Sequence, residues 1–219
     1  MDSLPIYIYL IGLSFFSSIV VFFRASSNYL YLKLFTPFLF LTLLAELLGF
    51  YLGSIGKHNA YVYNFFSTFE FCFYLWVLSL IIQNRYVRKA IRIIIVLYML
   101  IAAANILFIQ KVTKFHTVTY SLGCLLIVSF CIYYFFELFK FLQPVKLQHN
   151  PAFWICSGLL FFYCVGFPLY GLINSWASIS TLVVYNFEKI VTILNIFLYS
   201  LFTIAFLCVR IRKYTSSPS

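Results

Sequence analysis

Charge is what this sequence has least of. Only 9% of its 219 residues are Asp, Glu, Lys or Arg, and five of those are acidic. Soluble domains run nearer a quarter charged. With 64% apolar residues there is too little polar surface to cover a water-facing fold. A soluble globular domain is excluded, and the chain falls in the membrane class. No basic stripe or nucleic-acid motif surrounds the Lys and Arg residues, so the net charge of +10 is no sign of nucleic-acid binding.

Other absences exclude enzyme classes. The six cysteines, Cys72, Cys124, Cys131, Cys156, Cys164 and Cys208, all lie inside apolar runs and form no CxxC. That argues against a disulfide or zinc framework and for small apolar packing residues. The three histidines, His58, His116 and His149, fall in loops or at helix ends, and no two share a helix face. Seven-helix zinc amide hydrolases need intramembrane histidines, including a pair on one helix. Ser157 has no GxSG setting and no histidine base at depth, which excludes a rhomboid-type nucleophile. There is no Asp-rich prenyl diphosphate motif and no EExxxR, and Lys189 stands too near a helix end for a retinal lysine. No catalytic constellation, metal or cofactor is expected.

What is present is a series of long apolar runs. Seven can be read, at about 4–23, 34–52, 61–82, 91–109, 117–142, 152–173 and 181–209. Each approaches or exceeds the roughly 20 residues that cross ~30 Å of hydrocarbon as a helix. The expected fold is all-α, a single seven-helix transmembrane domain over 1–219. The last run is long enough to tilt or to project at one end. Asp2 precedes the first run and Arg24 follows it, the wrong polarity for a cleaved signal peptide.

The basic residues alternate by side. Eleven (Arg24, Lys33, Arg85, Arg88, Lys89, Arg92, Lys140, Lys146, Arg210, Arg212 and Lys213) fall on one face of the membrane, and four (Lys57, Lys111, Lys114 and Lys189) on the other. The positive-inside rule then puts the N-terminus outside and the C-terminus in the cytoplasm. The basic loop 85–92 and the tail residues Arg210, Arg212 and Lys213 form a candidate surface for a cytoplasmic partner or for anionic lipid. An internal echo is also visible. Tyr63-Asn64-Phe65 and Tyr185-Asn186-Phe187 open runs three and seven, and Val87-Arg88 and Val209-Arg210 follow at the same offset. Pro37 and Pro151 each read as opening the run before. Two triplets joined by one helix would point the same way, a 3+1+3 parallel repeat.

Chemistry, if any, lies with charge at depth, because an ionisable side chain in hydrocarbon is expensive and functional by default. Glu46 and Glu70 each sit ~12–14 Å from the outer ends of the second and third helices at 1.5 Å per residue. These helices share a short loop, so the carboxylates can face one another, and a pair meeting there would share a proton. Polar residues flank them at helical spacing: Thr42, Gly49 and Gly53; Tyr63, Ser67 and Tyr74; and on the last helix Glu188, Thr192, Asn195 and Tyr199. One reading is a polar pocket in the outer half, a ligand or proton site of Glu46, Glu70, Ser67, Tyr74, Thr192, Asn195 and Tyr199. The other is interhelical glue, with Gly49 and Gly53 as a close-packing GxxxG. Glu137 and Lys140, three apart, read as a local interfacial pair.

Several segments together carry a resemblance: Pro37 with Glu46, Tyr63-Asn64-Phe65 with Glu70-Phe71, Pro151-Ala152-Phe153-Trp154 with Tyr163 and Gly166, and Leu194-Asn195 with Tyr199. In these the chain resembles a poorly characterised group of seven-helix integral membrane proteins of Bacteroidota, often encoded beside sensor histidine kinases. The resemblance implies a bacterial cytoplasmic membrane and a signalling link, and brings no biochemical activity. The expected function is a receptor-like or accessory membrane protein that senses a small or lipidic ligand, or a partner helix, and acts through a separate cytoplasmic partner. Alternatives are a small SWEET-like 3+1+3 transporter, although the Pro-Gln motif is missing and only Pro168 offers a helix break; an accessory protein of a defence or secretion locus; and a membrane-embedded lipid enzyme.

Overall fold

A computed structural model describes residues 4–24, 29–109, 115–140, 147–171 and 181–215, without the side chains of 24, 107, 109, 181–184 and 210–215. Lys111, Lys114, Lys146 and the uncharged loop 174–180 lie outside the described residues, as do the side chains of Arg24, Arg210, Arg212 and Lys213. The described residues form seven helices and no strand: α1 Ile6–Arg24, α2 Leu30–Ser54, α3 Ala60–Ile81, α4 Arg85–Ala104, α5 Thr117–Lys140, α6 Pro151–Gly171 and α7 Thr181–Thr215. A π-helical turn, Asn105–Ile109, continues α4, and a 3₁₀ turn, Leu147–His149, precedes α6.

Six of the helices are long and apolar enough to cross a membrane; α4 is the exception. Its first two turns carry Arg85, Arg88, Lys89 and Arg92, which load the helix with charge before its apolar part begins. Large apolar side chains cover the outside of the bundle, among them Phe16, Leu44, Leu47, Leu97, Phe136 and Ile193. Water would penalise that surface and lipid would not. The chain is a helical membrane protein.

Helix contacts trace a closed circuit, α1–α2–α3–α5–α6–α7 and back to α1, with α4 packed outside against α3 and more lightly against α5. Here "upper" means the end at which α1, α3, α5 and α7 start. Aromatic rings fill the centre. On one side of α3, Phe73 stacks on Phe38 of α2 at 3.9 Å, and Phe35 meets Phe202 and Phe206 of α7. On the other side Phe71 meets Tyr98 of α4, Tyr120 of α5 and Tyr163 of α6. α3 is thus gripped from both faces.

Ser14 Oγ donates to the Tyr199 carbonyl at 2.7 Å, which fixes the register of α1 on α7. Ser14 is about two turns into α1 and Tyr199 about five turns into α7, so α7 starts roughly 15 Å higher. The extra length of the last helix is therefore projection.

Two proline readings change. Pro37 does not open α2, which begins a full two turns earlier, at Leu30. Pro168 does not break α6, which runs on to Gly171. Proline leaves a carbonyl without its helical partner, and packing of neighbouring helices against these turns offsets that cost. Pro151 does open α6, where its absent N–H is one of the helix's free donors anyway. The proposed pairing of Glu137 with Lys140 is also replaced. Glu137 accepts the backbone N–H groups of Gln83 (2.8 Å) and Asn84 (2.9 Å), just ahead of α4. Asn84 then caps α4 by accepting from Tyr86 and Val87. The free donors at a helix start compete better for a carboxylate than an exposed ammonium does.

Candidate functional site

Glu46 of α2 and Glu70 of α3 are both half-buried, and Glu70 lies within electrostatic reach of Glu46. Glu46 Oε2 accepts the hydroxyl of Tyr7, the second residue of α1, at 3.0 Å, and has a long contact of 3.5 Å with the hydroxyl of Tyr63. A partner in the first turn of α1 places Glu46 nearer the upper end of the bundle than counting back from Ser54 implies, because α2 extends beyond the start of α1.

Around Glu70 the hydroxyls are differently used. Tyr74 and Tyr163 flank its carboxyl group, and both side chains are fully buried. Both hydroxyls are within reach of the Glu70 carboxyl group, but neither attains full hydrogen-bond geometry. Tyr170 and Tyr199 lie within electrostatic reach of both glutamates. Tyrosines from α1, α3, α6 and α7 therefore surround two carboxylates from α2 and α3. Among the described residues no Lys or Arg acts on either carboxylate. Lys189 is exposed and lies over the Tyr185 ring at 5.2 Å.

The other residues expected at the site divide. Ser67 Oγ bonds the Asn64 carbonyl in its own helix, and Asn195 Nδ2 bonds the Val191 carbonyl likewise. Thr192 is half-buried, with no hydrogen bond to either glutamate. Tyr74 and Tyr199 lie within electrostatic reach of Glu70. Thr42 Oγ1 bonds its own helix at the Phe38 carbonyl. Tyr7, Tyr163 and Tyr170 were missed by sequence reasoning. For Tyr7 and Tyr170 the signal, tyrosine near an upper helix end, also describes an interfacial belt, and Tyr163, in the middle of α6, carries no spacing signal of its own.

Gly49 is where α2 makes room for Tyr63: a Cβ there would run into the tyrosine hydroxyl and sit 3.0 Å from Cε2. Gly49→Ala is expected to push Tyr63 off Glu46 and to cost about 1–3 kcal/mol by overpacking. Thermal melts would show the loss, and combining it with Tyr63→Val should return most of it. An unchanged melt for the single variant would place the Tyr63 ring elsewhere.

Outside the spans, His116 precedes α5 and is buried. Its backbone N–H donates to Asn64 Oδ1 at 3.0 Å, tying the start of α5 to α3, while neither ring nitrogen has a partner. Burial holds the imidazole below its ordinary value of 6.5. The unfolded chain therefore takes up the proton first. Stability from the neutral ring is complete above about pH 6.5 and falls as pH drops below it. Wild-type melting should decline more steeply than that of His116→Phe between about pH 7.5 and 5. Parallel curves would show that the ring is not desolvated in the fold.

Arg85 and Lys89 are exposed and Arg88 is half-buried on the first turns of α4, and the Arg92 guanidinium lies 5.7 Å over the exposed Trp76 ring. Close by at the lower end is a cavity of about 230 Å³ lined by residues that include Tyr31, Tyr134, Glu137 and Asn150. Among the described residues no group of three or more His, Cys, Asp or Glu could hold a metal ion. No protein-family model matches the chain, and neither does a curated protein or a solved structure.

Proposed function

We propose that this chain is a receptor-like or accessory protein of a bacterial cytoplasmic membrane, sensing a small ligand at Glu46 and Glu70 and acting through a separate cytoplasmic partner. The observation that carries the reading is the approach of two half-buried carboxylates, without a basic residue among the described ones, inside a cluster of tyrosines from four helices. Structural glue would satisfy its hydroxyls; Tyr74 and Tyr163 are unsatisfied. In this reading α4 and its π-helical turn make a seventh span, Ile93 onward being apolar. Seven spans with the basic excess at the lower end put the N-terminus outside and the site in the outer half. Ligand or proton arrival between the glutamates shifts the packing of α2 on α3, and Arg85, Arg88, Lys89 and Arg92 pass that shift to a partner. The signalling link implied by the resemblance fits this scheme.

Glu46→Gln and Glu70→Gln are each expected to abolish the host phenotype of the gene while expression and membrane insertion stay normal. Normal function in both variants removes the reading. One observation favours the transporter alternative. The helix circuit maps onto itself when each helix number in the first triplet is raised by four, with α4 as the linker, which is the order of a 3+1+3 repeat. Uptake of a labelled solute into vesicles, dependent on both glutamates, would decide for transport.

A further inference from the structure

The chemistry of the glutamate cluster limits what can fill it. Two carboxylates, one from α2 and one from α3, are within electrostatic reach of each other and half-buried. Among the described residues no basic side chain reaches them: Lys57 and Lys189 are exposed, and Arg92 is engaged with Trp76. An anion would be repelled there, and a neutral ligand would leave the two acids facing each other. Among the described residues no third acid, thiol or imidazole is grouped with them. The walls are instead aromatic. Tyr74 and Tyr163 lie with ring centroids 6.0 Å apart, and Tyr74 and Tyr199 both pack on Phe202. Aromatic faces beside carboxylates suit an organic cation, which gains from the ring quadrupoles as well as from the charges.

We propose, building on the sensing role above, that the site takes a small protonated amine, its ammonium N–H groups donating to Glu70, Glu46 and the phenol oxygens of Tyr74 and Tyr163. The two hydroxyls without partners then acquire a donor, and the two carboxylates acquire their missing counter-charge. Tyr7 already supplies Glu46 with one hydrogen bond, so Glu70 has the greater need of the ligand.

The test is thermal unfolding of the full chain in a mild detergent or lipid nanodiscs, with 1,4-diaminobutane as the probe. Its uncharged counterpart 1,4-butanediol, the dianion succinate and calcium chloride serve as controls. Diaminobutane is expected to raise the midpoint by at least about 3 °C at saturating concentration, and the three controls to leave it unchanged. Glu70→Gln should abolish the shift, Glu46→Gln should abolish or nearly abolish it, and Tyr74→Phe should weaken apparent affinity by about tenfold. A shift equal with butanediol, a shift from calcium alone, no shift with the amine, or one that persists in the double Gln variant overturns the proposal. Failure of the amine while host function still requires both glutamates would refute the ligand class and spare the sensing role. An amine shift with the phenotype intact in both Gln variants would do the reverse.

Discussion

Phe71→Ala is expected to destabilise the bundle by about 3–5 kcal/mol, the largest single-residue effect in the molecule. The ring is fully buried and holds α3 to three other helices through Tyr98, Tyr120 and Tyr163. Lipid is as apolar as the ring, so the hydrophobic effect does not drive this contact; dispersion across a close-packed interface does. A cavity forfeits those contacts in lipid as in water. The opposing wall is Gly123 of α5, where a Cβ would come within 2.6 Å of the Phe71 ring atoms Cδ1 and Cγ. A fully buried ring cannot give way by that much, so Gly123→Ala should itself cost about 1–3 kcal/mol. The two substitutions should be strongly non-additive, because the added methyl enters the space the ring leaves. Additive losses in reversible unfolding in mixed micelles would show that the residues do not touch.

The same α3–α5 contact marks the limit of what sequence discloses. Every span was legible as an apolar run, and the ends of α1, α3, α5 and α6 lie within two residues of the runs. Where the reading slipped, a competing interaction prevailed. Pro37 marked a start that packing overrode, and α2 begins at Leu30. The meeting of Glu46 and Glu70 was legible because depth along two consecutive helices follows from counting at a fixed rise. Their tyrosine shell was not. Tyr163 and Tyr170 of α6 and Tyr7 of α1 reach the cluster only through the order of helices around the bundle, and periodicity gives the face of a helix but not its neighbour. The register of α7 on α1 was equally hidden, because it is set by the bond between Ser14 and the Tyr199 carbonyl, a contact 185 residues apart in the chain.

Glu70→Gln should make the ligand-free protein more stable while removing its response. A charged side chain at depth in a bilayer costs on the order of 2.5–3.5 kcal/mol on insertion scales. Glu70 offsets only part of this: Tyr74 and Tyr163 beside it fall short of full hydrogen-bond geometry, Glu46 adds like charge, and a proton shared between the two acids relieves the charge of one at a time. An amide of nearly the same shape lowers that cost, so an increase of about 1–2 kcal/mol is expected, near 2–8 °C in midpoint for a chain of this size. Glu46→Gln should change stability by less than about 0.5 kcal/mol, because the amide oxygen still accepts from Tyr7. The asymmetry separates a site from a strut. A glutamate retained as interhelical glue would lose stability on neutralisation, whereas one retained for a ligand gains it and loses function, the usual trade between stability and activity. A lower melting temperature for Glu70→Gln than for wild type, measured without ligand, would make Glu70 a structural residue and leave the cluster without a sensing role.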